Sequence, residues 1–163
     1  MSDELITSQQ SLAQTETAPP TKGAPQFSRQ LHNPPEIHKP APTYSHVAIV
    51  PISNVARLIT IAGQVGIDPQ GNIAPDFAGQ VELALENLGK CLASARCGKE
   101  EIVKVTLYIV AQPSNKADDE VRRSLYTRFW GELQPPPNTL VYVAALALPE
   151  LLFEVEAMAV GKM

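Results

Sequence analysis

Cysteine is scarce in this chain, and it has neither a cluster of basic residues nor a long apolar run. Of its 163 residues only Cys91 and Cys97 are cysteines. They lie six positions apart in one predicted helix, about 120° apart around its axis, so they are not expected to pair with each other. Two unpaired thiols indicate a reducing compartment, which we take to be the cytoplasm. We interpret both as small, semi-buried helix residues and not as a nucleophile or a redox pair.

These absences argue against several classes of protein. The three histidines, His32, His38 and His46, show no ligand spacing with the cysteines, so no metal site is expected. The net charge is −4 and no basic cluster exceeds Arg122-Arg123, so nucleic acid is not an expected partner. A membrane-spanning helix needs about 20 apolar residues, and no run approaches that length. The sequence therefore predicts a globular protein without membrane contact.

The chain divides into two parts that differ in composition. Residues 1–40 contain many Ser, Thr, Gln and Pro residues and no periodic apolar pattern, which predicts a disordered N-terminal arm. A second interpretation is that the arm docks on a neighbouring subunit through Phe27, Leu31 and Ile37. Residues 41–163 are predicted to form one folded domain.

The order of predicted elements in the folded part is β-β-α-β-α-β-β. Strands are expected at residues 46–50, 57–62, 102–110, 140–146 and 152–160. Asp76 is expected to cap a helix that runs to Cys97 and stops at Gly98. Asn115 is expected to cap a second helix, with Asp118 in the capping-box position.

This order has two consequences for the sheet. Helices that separate strands make part of the sheet parallel or mixed, and two helices cover only one face. Strands 102–110 and 140–146 read as apolar on both faces, a pattern typical of strands buried on both faces. The second face therefore needs another cover, most simply another copy of the chain.

The most informative segment lies near the C-terminus. A proline run at 135–137 leads into Asn138-Thr139 and a strand-like apolar stretch, and the last strand carries Glu154 and Glu156. Side chains two residues apart on a strand share a face, so the two carboxylates lie on the same side. Ionised groups in so apolar a strand are costly unless they are paired, hydrogen-bonded or used in chemistry.

This segment resembles the C-terminal signature of the RidA/YjgF family, small deaminases of reactive enamines and imines. Residues 42–46, 58–65 and 85–88 are similar to three further segments of that family, in the same order. The resemblance implies an α+β fold: a single chorismate-mutase-like domain with a mixed sheet and two helices on one face. It also implies a homotrimer with small-molecule clefts between subunits, and an activity that needs no cofactor.

The resemblance further implies the site residues. Glu154 matches the glutamate that positions or activates the hydrolytic water, and a partly buried carboxyl has a raised pKa suited to proton transfer. Tyr44 matches the tyrosine that borders the cleft, and Gly63 allows backbone amides to approach a ligand. Thr139 and the backbone of Leu140 are further candidates for ligand contact. The structural alternatives are a glutamate bonded to backbone, a loop aromatic and a turn glycine.

Position 138 departs from the family pattern. The family usually has an arginine there that grips the substrate carboxylate, and an asparagine cannot replace its charge or its two-pronged geometry. Asn138 can instead bind a neutral carbonyl or hydroxyl group, or cap a turn after the prolines. Arg122, Arg123 and Arg128 on the second predicted helix are candidate replacement cations, but we interpret them as a solvated face.

Two hypotheses of function follow. The first is an enzyme without cofactor that hydrolyses or tautomerises an enamine or imine other than the usual 2-imino acids, in a specialised biosynthetic pathway. The second is a non-catalytic trimer that binds a metabolite or a protein. The retained Glu154 favours the first hypothesis, and the missing arginine favours the second.

Overall fold

The computed structural model describes residues 29–110 and 116–163, which contain one mixed sheet and two helices on one face of it. The strands are β1 (Gln30–His32), β2 (Val47–Pro51), β3 (Ala56–Val65), β4 (Ile102–Val110), β5 (Asn138–Val143) and β6 (Phe153–Lys162). The helices are α1 (Phe77–Ser94) and α2 (Lys116–Trp130), with a short 3₁₀ turn at Lys99–Glu101. The predicted α+β class is confirmed.

The strands lie in the order β1-β2-β3-β6-β4-β5. Every described neighbouring pair is antiparallel except β4 and β5, which are parallel. A parallel pair needs a crossover between its strands, and α2 lies in that connection. The expectation of a partly parallel sheet is therefore correct, and the C-terminal strand β6 lies at the centre.

The hydrophobic core lies between the sheet and the helices. Asp76 caps α1 as predicted, because its Oδ1 accepts a hydrogen bond from the Gly79 N–H at 2.8 Å. The apolar stripe of α1 is fully or almost fully buried, and α2 adds aromatic residues to the same core. The helix-facing members of β4 and β6 complete it: Val105, Leu107, Phe153, Val155 and Ala157.

The end of α1 differs from the prediction. The helix stops before Cys97 because Arg96 takes a left-handed conformation, with φ of 50°. The Arg96 N–H donates to the Ala93 carbonyl at 2.9 Å and the Cys97 N–H to the Leu92 carbonyl at 3.0 Å. This is a Schellman arrangement, in which glycine normally fills the left-handed position. The prediction failed because it assigned the stop to Gly98, the nearest glycine.

The strand boundaries also shift. Strand β3 continues past the predicted end at residue 62 to Val65, and β5 covers Asn138–Val143 where residues 140–146 were predicted. Element ends are the least sharply encoded feature of a sequence because adjoining residues can extend or leave a ladder at small cost. The predicted cap Asn115 lies outside the described residues.

Residues 29–40 belong to the fold, where a disordered arm was predicted. Strand β1 pairs with β2, with Gln30 opposite Ile49, and Ile37 is only 3% exposed. A three-residue strand and a single buried isoleucine produce no periodic apolar pattern, so the composition concealed them. Ile37 packs in the core of its own chain and not on a neighbouring subunit. Residues 1–28, with Phe27, lie outside the described part.

Both cysteines are buried and free. Burial raises the pKa of the Cys91 thiol to about 12 and is the largest cause that raises that of Cys97 to about 12. Both thiols therefore stay protonated at neutral pH and are poor nucleophiles. The interpretation as packing residues agrees with this burial, but Cys97 lies beyond the end of α1, so the two cysteines do not belong to one helix.

The sheet face opposite the helices is partly apolar and partly polar. Met158 is 40% exposed there, and a shallow cavity beside it is lined by Thr60, Lys104, Thr106 and Glu156. The prediction that β4 is apolar on both faces is therefore only half right, because Lys104 and Thr106 face this side. Within the described chain this face remains open to solvent.

Packing of Ile37 gives a test of the corrected boundary. We expect Ile37→Ala to lower the free energy of unfolding by about 2–5 kcal/mol, because it leaves a cavity in the core. Leu31→Ala is the matched control: Leu31 lies in the same segment but is 48% exposed, so its loss should cost less than about 1 kcal/mol. Urea unfolding followed by circular dichroism measures both. Equal, small losses would show that the segment is not packed in solution.

Candidate functional site

A cleft of about 460 Å³ opens where β3 ends and β6 begins. It brings together three of the predicted site residues, Tyr44, Gly63 and Glu154. Most of the remaining lining is apolar, with one histidine and one lysine: His38, Lys39, Ala41, Ala62, Val65, Ile67, Ala147, Leu148 and Leu151. The cleft can therefore hold a small ligand that has an apolar part and a few polar atoms.

A β-bulge in β3 shapes the floor of this cleft. Ala62 and Gly63 together oppose the single residue Glu156 of β6, which shifts the register of the two strands. A Cβ atom at position 63 would lie 1.7 Å from Oε1 of Glu154, so the carboxyl group occupies the space that any side chain would need. Gly63 is required here because the carboxyl lies directly against its backbone.

Glu154 has the electrostatic properties of a group that can exchange protons. Burial raises the pKa of its carboxyl, and the nearby charge of Glu156 raises it further. In the described part of the chain, no donor makes a hydrogen bond to this carboxyl. Its neighbour differs, because the Tyr108 hydroxyl donates to Oε1 of Glu156 at 3.1 Å. The oxygens of Glu154 are thus available to water or a ligand.

Tyr44 forms the opposite wall of the cleft and is 39% exposed. Its Oη lies 3.2 Å from Nε2 of His38, and its ring meets the edge of the His46 ring at a centroid distance of 5.4 Å. Burial raises the pKa of the Tyr44 phenol, and the charges of Glu154 and Cys91 contribute. Tyr44 therefore remains a neutral phenol near neutral pH.

His46, whose ring contacts that of Tyr44, and its partner Gln64 are fully buried. The His46 Nε2 lies 2.9 Å from the His38 carbonyl, so this nitrogen carries the proton. The Gln64 amide nitrogen donates to the Ala62 carbonyl at 3.0 Å and lies 3.2 Å from Nδ1 of His46. Because that carbonyl fixes the amide orientation, His46 is a neutral imidazole with both nitrogens occupied. Burial lowers the His46 pKa, and the bond to the His38 carbonyl opposes this only in part.

Two buried polar side chains of α1 hold the walls of the cleft. Asn87 donates through Nδ2 to the carbonyls of Val65 and Ile67, at 3.1 and 3.0 Å. Gln80 donates to the Glu150 carbonyl at 2.9 Å and accepts from the Leu152 N–H at 2.7 Å. No role was predicted from the sequence for Gln80 or Asn87. An isolated amide in an apolar helical stripe is the signal that marks them.

The structure does not bring residues 138–140 to the cleft. Strand β4 separates β5 from β6, with Asn138 opposite Val105 and Glu154 opposite Tyr108. Two strand spacings across the sheet and three residues along it place the backbones of Asn138 and Glu154 roughly 14 Å apart. Within one chain, Asn138 therefore cannot contact a ligand held by Glu154.

The other two predicted residues of β5 have local partners. The Thr139 hydroxyl accepts a hydrogen bond from Nζ of Lys104 at 2.5 Å on the open face of the sheet. Leu140 packs against the core. The order of strands in the sheet separates these residues from the cleft of their own chain, whereas the resemblance implied a cleft shared between subunits.

The arginines of α2 do not supply a replacement cation. Arg123 and Arg128 are exposed and paired with Asp119 and Glu82, as expected for a solvated face. Arg122 corrects that interpretation: it is 8% exposed and its Nη2 donates to Asp119 Oδ1 at 2.5 Å. Among the described residues that line the cleft, Lys39 alone is cationic, and it is exposed.

Comparison with known proteins agrees with this geometry. The family model described as Endoribonuclease L-PSP matches residues 36–161. The chain belongs to this family, the RidA/YjgF proteins. A mouse relative named 2-iminobutanoate/2-iminopropanoate deaminase is 35% identical over 123 residues, which cover 72% of this chain and 87% of the relative. The RutC family protein YjgH of Escherichia coli is 40% identical over 62 residues, 38% of this chain and 47% of the relative.

Solved structures show the same fold. The crystal structure of E. coli TdcF with bound serine superposes with a TM-score of 0.69 at 24% identity, and the match covers 81% of this chain and 98% of that one. The RidA/YjgF fold is therefore present. In the described ranges, no group of three or more His, Cys, Asp or Glu residues is arranged to hold a metal ion. No helix there is both long and apolar enough to cross a membrane.

The electrostatics of Glu154 give a second prediction. Glu156→Gln should lower the pKa of Glu154, because it removes a negative charge that disfavours ionisation. The pKa should nevertheless stay above that of an exposed glutamate, since burial is the larger cause. Carboxyl ¹³C NMR titration measures this, and Glu86→Gln on the exposed face of α1 is the control. An unchanged Glu154 pKa in Glu156→Gln would show that the two carboxyls do not interact.

Proposed function

We propose that this protein is an enzyme without cofactor that hydrolyses or tautomerises an enamine or imine. The observation that carries the proposal is the Glu154 carboxyl, which lies against Gly63 in an apolar cleft with a raised pKa and no hydrogen-bond donor in the described chain. The relatedness to a mouse protein named as an imine deaminase supports the same class of reaction.

The chemistry needs a group that both releases and takes up a proton. For an enamine, neutral Glu154 protonates the β-carbon and leaves an iminium. Ionised Glu154 then takes a proton from water as the water oxygen bonds to the imine carbon. That proton passes to the nitrogen, and the C–N bond breaks as the new hydroxyl group returns its proton to Glu154. A carbonyl compound and ammonia leave, and Glu154 is neutral again. A carboxyl with a pKa raised toward neutrality serves both steps, and Tyr44 can donate a hydrogen bond to the reacting atoms.

We further propose that the substrate is not one of the usual 2-imino acids. The family arginine that would bind a carboxylate is replaced by Asn138, which offers no charge. The cleft lining is mainly apolar, with Val65, Ile67, Leu148 and Leu151 among its residues. A neutral imine or enamine with an apolar substituent fits this lining better than a small charged acid.

A homotrimer with clefts between subunits is part of the proposal. The sheet face opposite the helices is open in the single chain, and Asn138 and Thr139 are exposed on the edge strand. A second copy that covers this region can bring its own residues 138–140 to the Glu154 cleft. The family resemblance implies the same assembly.

Nucleic acid is not part of the proposal, although the matched family model is described as an endoribonuclease. The net charge of −4 disfavours a polyanion. Arg122, Arg123 and Arg128 are each paired with a carboxylate of the same chain. These three arginines therefore offer no unpaired basic patch to phosphates.

The alternative is a trimer that binds a metabolite without converting it. Asn138 favours this function, because a family member without the carboxylate grip has lost one determinant of catalysis. The two functions differ in a simple result: a binding protein retains ligand affinity but converts none of a panel of imines and enamines, neutral ones included.

The assembly can be tested directly. Size exclusion with light scattering should give about three times the chain mass of 17.6 kDa. Met158→Lys, on the open sheet face, should dissociate the assembly because it would bury an additional charge in the subunit interface. Leu133→Lys, which is similarly exposed but lies after α2, should not. A wild-type monomer would contradict the trimer.

The substrate proposal predicts weak activity toward 2-iminopropanoate generated in the cuvette by an amino-acid oxidase. A charged hydrogen bond is worth about 1.5–3 kcal/mol. Without the arginine, kcat/KM should therefore be about 10- to 150-fold lower than in a family member that has it. Asn138→Arg should recover part of that activity, and adding Glu154→Gln should abolish it again, because an amide cannot take a proton from water.

The controls separate the outcomes. Lys39→Met tests whether the one cation of the described cleft lining already binds the carboxylate. Strong wild-type activity on 2-iminopropanoate would overturn the substrate proposal, and its loss in Lys39→Met would then identify Lys39 as the group that binds the carboxylate. The binding function would be favoured if Asn138→Arg gains no activity on 2-iminopropanoate and the protein also converts no neutral imine.

A further inference from the structure

His38 lies in the cleft wall beside Tyr44, and neither the family resemblance nor the motifs gave it a role. Its Nε2 lies 3.2 Å from the Tyr44 Oη. Its Nδ1 is buried and has no hydrogen-bond partner in the described chain. Nε2 therefore contacts Tyr44, while Nδ1 is shielded from solvent.

The position of His38 is fixed by its surroundings. Its carbonyl accepts the hydrogen bond from Nε2 of His46 at 2.9 Å, and its ring meets the edge of the His46 ring at 4.9 Å. The next residue toward the N-terminus, Ile37, is anchored in the core, and the His46 N–H donates to Asn33 Oδ1 at 2.9 Å. His38 thus belongs to a segment held at several points, and its ring has little freedom.

The buried Nδ1 decides between the two neutral forms of the ring. If the Tyr44 hydroxyl donates to Nε2 of His38, the proton of the ring is on Nδ1, and a buried N–H has no acceptor. If Nε2 carries the proton and donates to Tyr44, only a lone pair on Nδ1 is left without a partner. Orphaned buried N–H groups are rarer in folded proteins than under-satisfied acceptors, so the second form is preferred. Burial and the neighbouring His46 lower the pKa of His38, so the doubly protonated ring is disfavoured as well.

We infer that His38 is a positioning residue: its Nε2–H donates to the Tyr44 oxygen, so the Tyr44 hydroxyl hydrogen is directed to the ligand in the cleft. A hydroxyl that accepts a hydrogen bond is a better donor itself. The ligand atom that receives this hydrogen is an acceptor, either an imine nitrogen or a carbonyl oxygen. The nature of that ligand rests on the proposed function, but the direction of the His38–Tyr44 hydrogen bond does not.

The direction can be measured without any substrate. In the full-length protein labelled with ¹⁵N-histidine, long-range ¹H–¹⁵N correlations show which ring nitrogen carries the proton. His38→Gln identifies the His38 signals, and His46 is the internal reference because its Nε2 must be protonated. We expect the Nε2–H form for His38 and a shift of its signals in Tyr44→Phe. An Nδ1–H form would overturn the inference, because Tyr44 would then donate to His38.

The effect on the ligand is tested with whichever imine the wild-type protein converts. His38→Phe removes the donor and should lower kcat/KM by about 3- to 10-fold, the effect of one neutral hydrogen bond. His38→Gln retains an N–H donor and should recover most of the loss. Adding His38→Phe to Tyr44→Phe should cost nothing further, since His38 acts through the Tyr44 hydroxyl.

The outcomes separate this inference from the proposed function. If no imine or enamine is converted, the proposed function fails, and the protonated nitrogen of His38 still decides the inference. If the protein is active and His38→Phe equals the wild type, or its effect adds fully to that of Tyr44→Phe, the positioning role is overturned. Unchanged circular dichroism of the variants confirms that folding is not the cause.

Discussion

The antiparallel pairing of β3 with β6 is the constraint on which the cleft depends. The β-bulge in β3 gives Gly63 its position against Glu154, and the register turns Glu154 away from the helices. Because successive side chains of a strand point to opposite faces, a slip of one residue would put Glu154 in the core and Val155 in the cleft. The many buried apolar residues of β6 oppose such a slip, so the stability of the sheet and the position of the carboxyl have the same origin.

Buried polar side chains link this sheet to the rest of the cleft. His46, Gln64, Gln80 and Asn87 are almost completely buried, and each bonds to backbone groups or to another of the four. Burying an amide costs free energy that its hydrogen bonds only partly return. Two of the amide oxygens have no partner in the described chain, so the four residues contribute more to the geometry of the cleft than to stability.

The fold class was predicted from the sequence for physical reasons that can be named, and Tyr44, Gly63 and Glu154 of the predicted site residues line one cleft. Periodic apolar patterns encode helices and strands, and the carboxylate of Glu154 in an apolar strand marked the cleft. Local patterns do not encode which strands become neighbours, so they did not show that Asn138 lies two strands away from Glu154 within one chain. Single residues with tertiary partners, such as Ile37 and His38, leave no periodic signal. Arg96 was missed because its left-handed conformation contradicts the preference of its residue type.

The side-chain amides of Gln80 and Asn87 on α1 position two segments of the cleft lining relative to each other. Gln80 holds the segment before β6, and Asn87 holds the segment after β3; Leu151 of the first segment packs with Val65 and Ile67 of the second. Gln80 and Asn87 are seven residues apart, which is about 10.5 Å and close to two full turns, so both reach the sheet from one side of the helix. The relative position of the two segments therefore follows a rigid helical repeat as well as their packing against each other. An insertion of one residue between the two amides would rotate one anchor by about 100° relative to the other and break the hydrogen bonds of one segment, even though the helix itself would remain intact.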